Sequence, residues 1–132
     1  MLRAMLVLAA AGVLVLPAAA SAKPSTFTAQ AYQTSDTHSG STQRFSETLK
    51  VGGKVAGHDK ITCKVASSTS AQCTATFTFA NGTFTVSGPL NLSKPKNTLP
   101  IVSGTGSYKG AKGVLRLDFL SATRAVETYA FS

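Results

Sequence analysis

The sequence predicts an all-β fold, an antiparallel sandwich or barrel of about eight strands, and three observations carry that expectation. The first is strict alternation. Cys73, Ala75, Phe77 and Phe79 fall on one side of an extended chain with Thr74, Thr76 and Thr78 on the other, and Leu115, Leu117 and Phe119 alternate with Arg116 and Asp118 in the same way. The second is composition: after Lys23 the chain is rich in Thr and Ser interleaved with Val, Phe and Tyr, and no stretch holds apolar residues at helical spacing for more than about a turn. The third is Asn81-Gly82, set between two alternating runs, the strongest short signal of a hairpin.

In chain order, residues 1–22 (MLRAMLVLAAAGVLVLPAAASA) open with a basic Arg3, an apolar run from Met5 to Leu16, Pro17 and the small triplet Ala20-Ser21-Ala22. This is the layout of a secretory signal peptide, and the apolar run is too short to cross a bilayer comfortably. Cleavage is expected before Lys23, and the product is expected to be secreted, with no membrane span once the signal is removed. Residues 23–132 then make one domain, long enough for a single modest core. Strands are expected near residues 25–34, 44–51, 53–57, 59–66, 71–80, 83–92, 98–102, 114–121 and 124–131, with TSDTHSGSTQ, 34–43, as a polar loop.

Two hairpins have a calculable register. A type I′ turn centred on Asn81-Gly82 sets Ala80 opposite Thr83, Phe79 opposite Phe84 and Phe77 opposite Val86. A slip by one residue would send the phenylalanines to opposite faces. Upstream, ITCKV and AQCTATF flank ASSTS, and a pairing that sets Cys63 opposite Cys73 also sets Ile61 opposite Ala75. These are the only two cysteines. In an oxidising compartment their disulfide staples adjacent strands and stabilises by roughly 3 kcal/mol, through restriction of the unfolded chain. No metal site is expected, because the thiols lack short ligand spacing and neither His38 nor His58 completes a zinc-like pattern with them.

The segment VSGTGSYKGAKG, residues 102–113, raises the question of phosphate binding. A dinucleotide loop needs a helix after its glycines, whereas VLRLDFL alternates at period two; a Walker loop needs Gly-Lys-Ser/Thr, which is absent. The steric alternative is that glycine lets a strand bend or pass close to another backbone at a barrel corner. The run Ile101-Val102-Ser103-Gly104-Thr105-Gly106-Ser107-Tyr108-Lys109-Gly110-Ala111-Lys112-Gly113 resembles the glycine signature shared by plant dirigent proteins and the allene oxide cyclase barrel family, with Ser103 in place of the usual first glycine. From Asp59 through Cys63, Cys73 and Asn81-Gly82 to Gly88 the chain is similar to small secreted bacterial members of that superfamily, and the resemblance spans roughly residues 59–120. It implies a closed eight-stranded antiparallel barrel with an apolar lumen and no cofactor. Allene oxide cyclases isomerise a fatty-acid epoxide and dirigent proteins steer the coupling of phenoxy radicals. The matched residues, Gly104, Gly106, Tyr108, Gly110 and Gly113, are architectural, and no catalytic group of either family aligns onto this chain.

The chain carries 13 Lys and Arg against 5 Asp and Glu, a formal net charge of +8. Such a balance favours acidic partners. The lysines, however, stand singly among Thr, Ser and Gly, without the basic and aromatic interleaving of a single-strand-binding face, so no nucleic-acid partner is expected and the charge reads as solubility and edge protection. A small apolar or aromatic ligand, and further copies of the chain, are the partners compatible with this reading.

Among polar residues, His58-Asp59 and Asp36 with His38 suggest acid–base chemistry. Strand neighbours point to opposite faces, so His58 and Asp59 read as strand-start or turn residues, and Asp36 and His38 as solvated loop residues. Glu47 and Glu127 are the only glutamates. Glu127 shares its face with Ala125, Tyr129 and Phe131, an apolar surface on which a carboxylate has a raised pKa, needs a partner, or sits at a rim or interface. If the barrel is an enzyme, Glu127 with Tyr129 or Arg124 is the place to look. Three functions compete: a barrel binding a small apolar or aromatic molecule, which is the favoured reading; a cofactor-free isomerase or cyclase acting on a reactive lipid-like or phenolic substrate; and a filled barrel with a structural or envelope role. An open lumen favours the first two, and an ionisable side chain deep within it favours the second.

Overall fold

The period-two alternation is realised as eight antiparallel strands: β1 (Phe27–Ser39), β2 (Thr42–Val51), β3 (Lys54–Val65), β4 (Ser70–Phe79), β5 (Gly82–Asn91), β6 (Lys96–Gly104), β7 (Gly113–Ser121) and β8 (Arg124–Phe131). The computed structural model describes residues 25–132; the expected signal peptide lies outside the described residues. Each strand pairs with the next, and β8 pairs with β1 from Phe27↔Tyr129 to Tyr32↔Arg124, closing the barrel. Closure leaves no sheet edge along this seam and turns one residue in two into an enclosed lumen.

The two ends of the barrel differ. At one end lie the β2–β3 and β4–β5 turns, the β6–β7 connection, and the start of β1 and end of β8. There Phe27, Phe77, Phe79, Phe84, Tyr108 and Phe131 pack with Tyr129 into an aromatic floor, with ring centroids 4.8 to 6.4 Å apart in edge and stacked arrangements. The opposite end, where the other four hairpins turn, is open.

The glycine segment belongs to the closed end. It makes one 3-10 turn, Gly106–Tyr108, and then enters β7 at Gly113; no helix follows. Tyr108 is buried over the floor. The segment ties across to the β4–β5 hairpin: the Ser107 amide donates to the Asn81 carbonyl (2.9 Å) and the Thr105 amide to the Thr83 carbonyl (2.8 Å). A side chain at Gly106 would sit 2.6 Å from the Asn81 carbonyl oxygen, and one at Gly82 would strike the Thr105 carbonyl. Two glycines face each other there because two backbones meet.

That contact explains a register correction. The observed pairs are Phe79↔Gly82, Phe77↔Phe84 and Ala75↔Val86, two residues from the expected register, with Ala80 and Asn81 at the turn. A shift of two leaves every inward side chain inward, so the apolar pattern cannot distinguish the two registers. Gly82 opens β5 and is required by the close approach of Thr105. The β3–β4 register, by contrast, is as expected: Cys63↔Cys73 and Ile61↔Ala75, with a Cys63–Cys73 disulfide bridging the two strands.

Two further expectations are corrected. Residues 34–43 are no loop: Ser35–Ser39 pair with Thr42–Ser46 around a turn at Gly40-Ser41. This hairpin runs past the last β1–β8 pair, so both its faces meet water and the apolar alternation disappears while the backbone ladder persists. Residues 53–57 and 59–66 are one strand, β3, which places Asp59 in mid-strand and not at a strand start or turn.

Candidate functional site

Parity along each strand decides which acids enter the lumen. On β2, Glu47 shares its face with Phe45 and Leu49; on β3, Asp59 shares its face with Ile61 and Cys63; on β8, Glu127 shares its face with Ala125 and Tyr129. Glu47 and Asp59 stand opposite each other in the β2–β3 register. The three carboxyl groups converge inside the barrel, with ligand oxygens all within 4.8 Å of one another. Asp59 and Glu127 are each 1% exposed, and Glu47 is also buried. Three of the five acids in the chain are therefore inside an apolar barrel.

Among the described residues no cation is paired with them. Glu127 accepts a hydrogen bond from the Tyr129 hydroxyl at 2.7 Å. Both oxygens of Asp59 and Oε1 of Glu47 have no partner among the described residues. Ionised carboxylates without partners in apolar surroundings are costly, and the usual outcome is retention of the proton. Burial, and then the charges of Glu47 and Glu127, push the Asp59 carboxyl up to about 11. Burial and then Glu47 push Glu127 up to about 8, with the Tyr129 hydrogen bond acting in the opposite direction. Glu47 is raised by burial, and Tyr129 is raised by burial and by the charge of Glu127. Near neutral pH the cluster holds protons that it can donate.

Above the cluster lies a cavity of about 410 Å³ that opens at the end opposite the aromatic floor. Its walls include Phe45, Val65, Leu90, Phe119 and Ala125, and Glu47 reaches into it from below. A smaller cavity of about 30 Å³ continues inward between Phe77, Leu115 and Leu117, touched by both Glu47 and Glu127. Asp59 lines neither cavity and sits behind Glu47. The three acids are thus graded in access, with Glu47 at both cavities, Glu127 at the smaller one and Asp59 at neither.

The structure brings two of the three sequence-predicted candidates together. Glu127 lies in the lumen, not at a rim or interface, and it is hydrogen-bonded to Tyr129. Arg124 lies apart, at the open mouth, where its guanidinium stacks 4.6 Å from the Tyr32 ring centroid and donates to the Tyr32 hydroxyl at 3.1 Å. His58 is exposed on the outer wall while Asp59 points in, as strand geometry requires. Asp36 and His38 lie 3.5 Å apart on the projecting β1–β2 hairpin, in solvent. Sequence reasoning set Asp59 aside as a strand-start or turn residue and gave Glu47 no role, although the signal that singled out Glu127, an acid in register with apolar neighbours, applies to both.

The three carboxyls are also the one group among the described residues whose oxygens converge closely enough to suit a cation, and an oxygen-only set would suit a hard ion. Besides these carboxyls the nearest oxygen is the Tyr129 hydroxyl, and the walls of the inner cavity are otherwise mostly apolar, Phe45, Phe77, Ala75 and Leu117 among them.

The comparisons with known proteins agree with the fold. No curated protein matches the chain. Among solved structures, a pyocyanin demethylase is 21% identical, with a TM-score of 0.73, and the alignment covers 81% of this chain and 99% of that one. That likeness shows a common fold. A family model, the allene oxide cyclase barrel like domain, matches residues 18–129. The closed eight-stranded meander, the glycine-bent closed end and this match agree: the chain belongs to the allene oxide cyclase barrel like domain family.

Proposed function

We propose that this barrel is an enzyme of the isomerase or cyclase type, which holds a small apolar or aromatic molecule in the open cavity and moves a proton on it. The observation that carries the reading is the convergence of Glu47, Asp59 and Glu127 beneath that cavity, within 4.8 Å of one another. A barrel serving only as a scaffold is better served by apolar residues at these positions. A barrel that only binds needs the cavity but not the acids.

In this reading Glu47 touches the ligand and exchanges a proton with it. Asp59, hidden behind Glu47, supplies or receives the balancing proton, so the proton removed from one atom of the ligand is returned at another and nothing is oxidised or reduced. Glu127 is held in place by Tyr129 and sets the charge of the group. The apolar walls exclude water and fix the ligand against Glu47. With residues 1–22 removed during export, this chemistry takes place outside the cytoplasm.

The test has two stages. A panel of conjugated ketones, phenols and nitrogen heterocycles, including pyocyanin because of the shared fold, is screened by thermal shift, where binding raises Tm. Each hit is then incubated in D2O and its carbon-bound hydrogens are followed by NMR. Deuterium incorporation with the wild-type protein that is lost in Glu47→Gln supports proton transfer. Binding without exchange above the Glu47→Gln background reduces the barrel to a binding protein, and a panel with no stabilising member sinks both readings.

A further inference from the structure

The open end of the barrel carries features that the acid site does not use. Four large apolar side chains are exposed on the described surface, and two of them, Leu92 (44%) and Leu120 (56%), stand on the rim and line the cavity entrance. They belong to neighbouring segments, because the Phe119 amide donates to the Pro95 carbonyl at 2.8 Å and so holds the end of β7 against the loop 92–95. Lys94 and Arg124 line the same mouth, and Lys96, Lys64 and Arg44 are exposed at the same end. Only Asp36 and Asp118 oppose them there. With three of the five acids inside the lumen, only Asp36 and Asp118 offset the lysines and arginines of the described outer surface.

We propose that this rim is a membrane-docking surface: Leu92 and Leu120 insert into the interfacial region of a bilayer bearing anionic headgroups, while Lys94, Arg124 and their neighbours contact those headgroups. Exposed leucines ringed by cations are the pattern that binds such interfaces, where buried apolar area and attraction to anionic lipid add together. Docking in this orientation sets the cavity mouth against the lipid, so an apolar molecule enters without crossing water. The closed end carries cations too, at Lys50, Lys54, Lys109 and Lys112, and the exposed valines Val55 and Val102 lie toward it, but it has no leucine on its surface and no opening. Neither charge nor apolar exposure alone therefore chooses an end; the open end is singled out because its leucines and cations together ring the aperture. The proposal stands on the rim and does not depend on catalysis inside the barrel.

The chain contains no tryptophan, so a single introduced indole reports locally. Leu120→Trp at the rim is compared with Val55→Trp, an exposed position (68%) at the opposite end. Both are mixed with vesicles of phosphatidylcholine alone or with phosphatidylglycerol. Insertion predicts a blue shift of the rim indole with the anionic vesicles, quenching by brominated lipid, and no change at position 55. In vesicle flotation, Leu92→Ser with Leu120→Ser is expected to weaken binding by about tenfold or more. Lys109→Gln with Lys112→Gln is expected to leave binding within about twofold. Residues 1–22, wherever present, are common to all the chains compared and drop out of the differences. Equal responses of the two indoles, no response of either, or flotation lost only in the Lys109/Lys112 variant overturns the proposal. So does a rim blue shift that follows protein concentration without lipid, which would make a second copy of the chain the occupant.

Discussion

Asp59 lies on the apolar parity of β3, and folding carries its carboxyl into the lumen whether or not the carboxyl finds a partner. The consequence is measurable without knowing a substrate. Asp59 and Glu127 have folded pKa values of about 11 and about 8, above their ordinary values of 3.8 and 4.5. Between the ordinary and the raised values the native state holds protons that the unfolded chain has released, so stability falls as pH rises through this window. Below the ordinary values the contribution is fully present. Asp59→Asn removes the most strongly raised group, so the Tm difference between this variant and the wild type should widen steadily in favour of the variant from pH 5 to pH 9. A constant difference would contradict the protonated cluster. Tyr129→Phe should move in the other direction for the site: the hydrogen bond that lowers the Glu127 pKa is lost, and the alkaline limb of any pH–activity profile shifts upward. At this scale the sequence was half legible. An acid in register with apolar neighbours marks a lumen residue, and that rule finds Glu47, Asp59 and Glu127 alike. Their convergence is not legible, because the Glu47–Asp59 pairing depends on a register shift next to the β2–β3 turn and Glu127, far away in the chain, joins them only when the barrel closes.

The elements that position the site are held by backbone contacts, and their sensitivity is correspondingly local. Gly106 has φ +59° and no room for a side chain against the Asn81 carbonyl, whereas Gly110 has φ +75° and open space around it. Gly110→Ala should cost about 1 kcal/mol, the backbone preference alone. Gly106→Ala should cost roughly 2 to 4 kcal/mol, because the two connections of the closed end must separate as well. Urea denaturation of the two variants side by side measures the difference, and equal losses would show that the contact carries no load. The β3–β4 register could be read from the sequence because the two cysteines and the apolar parity agree on one pairing. The β4–β5 register could not, since a glycine that serves a tight turn and a glycine that serves a tertiary contact look the same in one dimension. Residues 34–43 misled for a related reason: a hairpin that outruns the barrel has no buried face to leave an apolar trace.

On the scale of the molecule, the barrel is solid at one end and hollow at the other, and core substitutions should report that asymmetry. Phe84→Ala, in the aromatic floor, should cost about 3 to 5 kcal/mol through loss of burial and the cavity left behind. Ala71→Leu projects into the open cavity, so it should change stability by less than about 1.5 kcal/mol while reducing the space for any ligand. Comparable losses in the two variants would mean that the mouth is as tightly packed as the floor. Period-two patterning and glycine chemistry predicted the strand count and the absence of a nucleotide helix, but nothing in the chain announces which end of a barrel will fill. That follows from where the aromatic residues fall along strands of alternating direction. The seam between β1 and β8 has a last effect. Phe27 and Phe131 stack at the base with centroids 6.3 Å apart, so Ser25 and Ser132 emerge side by side beneath the sealed floor. The described chain thus begins and ends at the sealed base, and a tag fused after Ser132 joins the molecule at the end away from the aperture.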